Sequence, residues 1–407
     1  MSEYTKEEAA ERAGVSPDLL SRLVEMGILE PSEGIRFSIG DVRRAVLLAS
    51  FVAAGVPLEG LATQIRKGDI TLAFLDSPAF DSFATFAPMT FAQLSATTGV
   101  PVDLLMVIRE AIGAALPTPD DRVREDEMAI VPLIEAQLDA GLKPTTIERS
   151  LRAIGDSMRR AAQVEADWFR SEIIEPRAAG KTGAEIGAIA IEFRGRFTPL
   201  NDQARLAIHH AHEAHAVTSN LVDAWERELA NAGLVSRLQR PPAMCFLDIT
   251  GFTRLTQERG DAAAADLAEQ LSRVVTRTSV KHGGRPVKWL GDGVMFFFRD
   301  PGQGVVAALE MVEGLAAAAL PPAHVGLHAG PVIFQEGDYY GQTVNVAARI
   351  AEYARPGEVI LSQAVVDASA EAGLSFTEIG PVDLKGVAGA IHLHSAHRSA
   401  SPTTGRA

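Results

Sequence analysis

Residues 287–298 read VKWLGDGVMFFF. Two apolar runs flank Gly291-Asp292-Gly293, which is hairpin-turn chemistry. Lys288 and Asp292 set a cation and an anion four positions apart at that elbow. An exposed turn would account for them, and so would a site. The hairpin also decides the fold class. Around it, strand-like runs alternate with helical ones, the pattern of an α/β unit with a mixed sheet.

Working upstream, MCFLDITGFTRL (244–255) opens with a short apolar run suited to a buried strand and ends it at Asp248. A helix is expected to follow, running to about Thr278. A carboxylate at a strand end, beside a glycine turn and a helix N-terminus, suits a metal–triphosphate site. The carboxylate would hold Mg²⁺, and the backbone N–H groups of the turn and the first helical residues (Gly251, Phe252, Thr253) would face phosphates. Asp248 alone could equally cap the helix. If the hairpin lies beside this strand, Asp292 comes near Asp248. Two carboxylates at an apolar sheet edge repel unless a cation sits between them, which is the chemical argument for a two-metal site. Downstream, GLHAGPVIF (326–334) is strand-like and EGDYYG (336–341) reads as a turn holding Asp338. TVNVAARIAEYA (343–354) reads as a helix with Asn345 and Arg349 on one face. GEVILS (357–362) is another strand, and DLKGV (383–387) puts Lys385 in a loop before the last one. Cys245 reads as a small core residue, and His324 and His328 as strand residues with local partners.

The chain has 407 residues, room for two or three cored domains, and a net charge of −14. That charge disfavours non-specific nucleic-acid or anionic-membrane binding by the whole protein. A single cysteine excludes a disulfide framework and fits a reducing, cytoplasmic setting. MSEYTKEEAAERAG does not read as a signal peptide. The longest apolar stretch, AVLLASFVAAGVPL (45–58), is too short to span a bilayer.

The first half repeats itself. TKEEAAERAGVSPDLL (5–20) aligns with TFAQLSATTGVPVDLL (90–105) at an offset of 85, and Asp41 matches Asp126. AAGVPLEGL (53–61) meets DAGLKPTTI (139–147) after a one-residue shift. Each copy reads as helix, glycine turn, helix, with Thr5 and Glu8 as a capping box and Ser16 as a second cap. Helical modules are expected over 1–80 and 86–155, and a helical connector over 156–236 with breaks at Pro176, Gly180 and Pro199. RLAIHHAHEAHAVTSNLVDAWERELANAGL (205–234) suits one long helix. Its His209, His210, His212 and His215 read as solvated or partner-facing residues. A metal cluster and a pH sensor are the alternatives. RLQRPPA (237–243) marks a linker, the α/β region spans 240–398, and the polar tail 399–407 reads as disordered.

The first module, YTKEEAAERAGVSPDLLSRLVEMGIL, resembles the helix-turn-helix of MerR-like regulators. That implies possible DNA contact through the second helix, with Arg22 on it and Arg43 and Arg44 nearby. Asp18 and Glu25 beside Arg22 leave a thin basic footprint, and the second copy offers only Arg109. Protein contact or regulation is the other use of such a module. FLDITGFT, KWLGDGVMFFF, GLHAGPV, GDYYGQTVNVAAR and DLKGV, in that order, resemble the class III nucleotidyl cyclase catalytic domain over residues 240–398. The resemblance implies a ferredoxin-like α/β domain after an all-α regulatory region. It implies two Mg²⁺ or Mn²⁺ per site on Asp248, Asp292 and the Ile249 carbonyl, and Lys288 with Asp338 selecting the purine. It further implies Asn345 on the ribose, Arg349 on the transition state, and Lys385 on the terminal phosphates. Active sites shared across a homodimer follow from it too.

Lysine donates and aspartate accepts, so the Lys288–Asp338 pair complements adenine and sets carboxylate against guanine O6. ATP is therefore the expected substrate. A guanylate or mixed-specificity cyclase is the alternative, and a DNA-binding regulator with a nucleotide-sensing dimerisation domain is a second. TFAQLSATTGVPVDLLMVIREAIG and the helical run after it resemble the regulatory part of actinobacterial pH-responsive adenylyl cyclases, which implies control by pH or a ligand.

Overall fold

A computed structural model describes residues 3–32, 36–77, 80, 85–234, 241–251, 257–258, 260–291, 293–335, 337–369 and 373–399. The chain forms two compact units, Met1–Val217 and Thr218–Ala407.

In the first unit the duplication is visible as structure. Copy one runs β1 (Glu3–Tyr4), α1 (Lys6–Ala13), α2 (Pro17–Glu25), β2 (Phe37–Ser38), α3 (Ile39–Ala53) and α4 (Leu58–Lys67). Copy two runs β3 (Phe86–Thr90), α5 (Phe91–Thr98), α6 (Val102–Ala111), β4 (Arg122–Arg124), α7 (Glu125–Met128), α8 (Val131–Asp139) and α9 (Pro144–Trp168). Thr5 with Glu8 and Thr90 with Gln93 form matching capping boxes, and Gly14 and Gly99 end the first helices in the left-handed region. Each copy also closes a two-stranded ribbon, β1 on β2 and β3 on β4, which the helical reading did not anticipate. The structural counterpart of Asp41 is Glu127, not Asp126. Both sit at the third position of their helix, and both are buried. The one-residue shift therefore enters before this helix.

Helix continues through Phe169–Ile174, a π-helical turn, into α10 (Glu175–Ala178). Pro176 thus falls inside the last turn, and the chain breaks at Gly180. Pro199 breaks nothing, because it lies within the 49-residue α11 (Gly183–Asn231). A proline removes one donor and crowds the carbonyl four residues back. Here that residue is Gly195, whose backbone bends at little cost. The boundary between the two units falls inside α11.

The second unit holds β5 (Ala243–Ile249), α12 (Asp261–Lys281), β6 (Gly284–Leu290), β7 (Gly293–Phe298), α13 (Pro301–Ala317) and β8 (Ala323–Ala329). After these come β9 (Ile333–Gln335), β10 (Asp338–Tyr340), α14 (Gln342–Tyr353), β11 (Val359–Ser362), α15 (Gln363–Ala368), β12 (Leu374–Val382) and β13 (Ile391–Arg398). Seven strands form one mixed sheet in the order β12-β13-β11-β8-β5-β7-β6. Among the described strands only β8 and β11 pair in parallel. Odd residues of β5 (Cys245, Leu247, Ile249) join the core with Leu271 of α12 and Val305 and Met311 of α13. Even residues face the other way, where Met244, Met295, Tyr339 and Ala347 cluster. Helix α12 runs from Asp261, after Gly260 with its positive φ, to Lys281; the start of the helix expected after the ITGFT turn falls on residues 252–256, outside the described residues. Asp338 stands in a strand rather than a turn, since β9 and β10 make a separate hairpin arm. The tail expected to be disordered lies, from residue 400, outside the described residues.

Candidate active site

The even face of β5 collects the candidate residues. Asp248 ends that face of the strand, half-exposed, and pairs in register with His324 of β8. His324 Nε2 stands 3.5 Å from Asp248 Oδ2, and its Nδ1 is 3.3 Å from Thr250 Oγ1. The hairpin does lie beside β5, with Leu247 paired to Val294. A β-carbon on Gly293 would stand 3.2 Å from Asp248 Oδ1, so glycine there lets strand and carboxylate meet. The start of β7 thus abuts Asp248. Asp292 itself, like Phe252 and Thr253, lies outside the described residues. Ile249 is buried at the strand end, and Gly251 turns in the left-handed region.

Lys288 pairs across the sheet with Met295, which opposes Phe246, so its ammonium shares the face of Asp248. It is bonded to Asp338 Oδ2 within the same chain. The expected base-reading pair is therefore brought together, although its members are 50 residues apart.

Helix α14 carries Asn345 and Arg349 one turn apart. It is pressed onto β8, where a β-carbon on Gly326 would fall 2.1 Å from Ala351 N. Its first turn is tied down as well, since Thr343 Oγ1 donates to the Pro331 carbonyl at 2.7 Å. Asn345 is exposed. Arg349 is half-exposed and gives Nη1 to both Glu352 oxygens at 2.6 Å. Lys385 is exposed in the turn between β12 and β13.

The bland readings of two neighbours hold. Cys245 is fully buried, and burial pushes its thiol far up, away from reactivity. His328 Nδ1 is hydrogen-bonded to Ser362 Oγ at 2.7 Å, and burial holds its imidazole below the ordinary value. His324 is the residue whose proximity to Asp248 sequence reasoning missed. The signal was present in the cross-strand register, which a single strand does not reveal.

Elsewhere the basic residues named for nucleic acid are engaged internally. Arg22 pairs with Glu59, and Arg44 with Asp41 and Asp76. The buried Arg43 donates to the Leu75 carbonyl, and Arg109 is locked to the fully buried Glu127 at 2.6 Å. His209, His210, His212 and His215 are exposed on α11. Among the described residues no three His, Cys, Asp or Glu side chains are grouped to hold a metal. No described helix is long and apolar enough to cross a membrane.

Residues 238–397 match the family described as the adenylate and guanylate cyclase catalytic domain. Residues 41–202 match the adenylate cyclase regulatory domain. The chain is 27% identical over 327 residues to the pH-sensitive adenylate cyclase MT1302 of Mycobacterium tuberculosis (strain CDC 1551 / Oshkosh), covering 76% of this chain and 78% of that protein. It is also 27% identical over 285 residues to an adenylate cyclase of Streptomyces coelicolor, covering 68% and 70%. Among solved structures, the adenylyl cyclase CyaB from P. aeruginosa is 21% identical, with a TM-score of 0.35, covering 40% of this chain and 96% of that one.

Proposed function

Residues 238–397 belong to the adenylate and guanylate cyclase catalytic family, and residues 41–202 to the adenylate cyclase regulatory family; on that premise we propose that the chain is an adenylate cyclase converting ATP to 3′,5′-cyclic AMP and pyrophosphate. The observation that carries the choice of ATP is the Lys288–Asp338 pair on the face of Asp248. Lysine donates to adenine N1 and aspartate accepts from the N6 amino group. Guanine would set its O6 against the carboxylate.

The donor set fits a divalent cation. Asp248 offers a half-exposed carboxylate at a strand end and the Ile249 carbonyl is adjacent, and Asp292, which lies outside the described residues, would supply the second carboxylate. Bound there, Mg²⁺ or Mn²⁺ would lower the pKa of the ribose 3′-hydroxyl and offset charge on the triphosphate. The remaining work belongs to the chain. Asn345 orients the ribose so that its 3′-oxygen lies in line with the α-phosphorus. As that oxygen bonds and the bond to the β-phosphate breaks, Arg349 meets the charge gathering on the equatorial oxygens. Glu352 takes only Nη1, leaving the guanidinium's other donors for that role. Lys385 and the N–H groups around Gly251 hold the terminal phosphates.

The two halves of each site come from two copies of the chain. Asp248 and Asp292 of one meet Lys288, Asp338, Asn345, Arg349 and Lys385 of the other. Exposed apolar side chains at the hairpin tip (Trp289, Leu290) and on the β9–β10 arm (Ile333, Phe334, Tyr340) give a second copy a surface to cover. The first unit regulates, and pH is a candidate signal because the Mycobacterium relative is named for it. The protein works in the cytoplasm. Product analysis with ATP and GTP, each with Mg²⁺ or Mn²⁺, tests the proposal. Cyclic AMP from ATP is the expected result. Cyclic GMP alone would overturn the substrate, and no cyclic nucleotide would overturn the enzyme.

A further inference from the structure

Strand β6 holds two consecutive residues of β10 with two cations, and one irregularity makes this possible. Arg285 stands opposite Phe297, Pro286 opposite Phe296, and Lys288 opposite Met295, so Val287 is one residue in excess. In a regular strand, residues three apart face opposite sides of the sheet. The bulge restores the parity, and Arg285 and Lys288 both face the side where the β9–β10 arm lies. Pro286, which has no N–H to donate, is tolerated because β6 is the outer strand.

Lys288 takes Asp338 and Arg285 takes Tyr339. The Arg285 Nη2 donates to the Tyr339 hydroxyl. Its guanidinium lies 5.6, 5.2 and 5.4 Å from the ring centres of Phe297, Phe334 and Tyr339. The Tyr339 ring is buried and stacked on Phe297, 4.6 Å between centres with planes 6° apart. Its backbone N–H donates to Asp338 Oδ1 at 2.8 Å, and Lys288 meets Oδ2 of the same carboxylate. The arm is a two-stranded sheet of its own rather than part of the seven-stranded ladder. Side chains must therefore supply the register between arm and sheet.

We propose that Arg285 is a positioning residue for base recognition. By clamping Tyr339 against β6 and β7, it fixes the Asp338 carboxylate where Lys288 and adenine can both use it. This inference rests on the reading of Lys288 and Asp338 as the base-selecting pair.

The test measures kcat and KM for ATP and GTP in the full-length chain and in Arg285→Ala, Arg285→Lys, Tyr339→Phe and Lys288→Ala. Thermal unfolding and gel filtration are run on each. Arg285→Ala is expected to raise KM for ATP about tenfold, to change kcat far less, and to lower the preference for ATP over GTP about tenfold. Arg285→Lys keeps a cation over the rings without the planar fork and should recover part of the loss. Tyr339→Phe removes only the hydroxyl and should lose a smaller share. A folded Arg285→Ala with wild-type KM and preference overturns the proposal. An equal fall in kcat for both nucleotides with preference intact overturns it as well, because that is a scaffold effect. Should Arg285→Ala not fold, wild-type preference in both Arg285→Lys and Tyr339→Phe decides against it. An unchanged preference in Lys288→Ala would instead remove the premise that this pair reads the base.

Discussion

Arg349 rests against Glu352, three residues along its own helix. An exposed pair of this kind contributes little to stability, so the arginine can be removed without unfolding the domain. Arg349→Ala is expected to lower kcat by about 10²–10³ with KM little changed, in steady-state kinetics. His328 works in the opposite sense, on stability rather than turnover. Its imidazole, bonded to Ser362 and depressed by burial, takes up a proton less readily in the folded chain than in the unfolded one. Its contribution is therefore whole above the ordinary histidine value of about 6.5 and is lost as pH falls below it. Denaturant midpoints should fall less between about pH 7.5 and about pH 5 in His328→Gln than in the parent chain. Equal falls would rule this out.

Among the elements, α14 shows how a site is held by what is missing from a side chain. A methyl group on Gly326 would collide with the backbone of Ala351. Gly326→Ala should cost about 1–3 kcal/mol, read as a lower thermal midpoint, because helix and strand must separate. Much of this region was legible in the sequence. Two apolar runs around Gly291-Asp292-Gly293 signal the β6–β7 hairpin, and the four-residue spacing of Asn345 and Arg349 puts them on one helix face. The pairing of Lys288 with Asp338 followed from ordered motifs, not from any local pattern. What was not legible depends on tertiary placement. Asp338 looked like a turn residue because Gly337 precedes it, yet the arm's own pairing makes it a strand. Pro199 looked like a break because propensity cannot weigh one lost bond against a long helix on both sides. Glu127 was passed over for Asp126 because the repeat slips by one residue in a segment with no other landmark.

For the whole molecule the proposal divides each active site between two chains. Asp248→Ala and Arg349→Ala should each be nearly inactive alone. Mixed in equal amounts, they should recover about a quarter of parental activity, since half the dimers are heterodimers with one intact site. No recovery after exchange is allowed to complete would contradict the shared geometry. In the duplicated modules Arg22, Arg43, Arg44 and Arg109 each have a partner within the chain, Arg22 at the surface and Arg43 and Arg109 largely buried.

The surplus residue at Val287 has a genetic corollary. Loss of the Val287 codon would leave Arg285 and Lys288 two positions apart, and in a regular strand residues so spaced share a face, so both cations would stay on the side of the β9–β10 arm without the bulge. This stretch should therefore tolerate the loss of that one residue as well as changes of spelling. A deletion scan through 284–290, scored for nucleotide preference, would show its mildest penalty between the two cations.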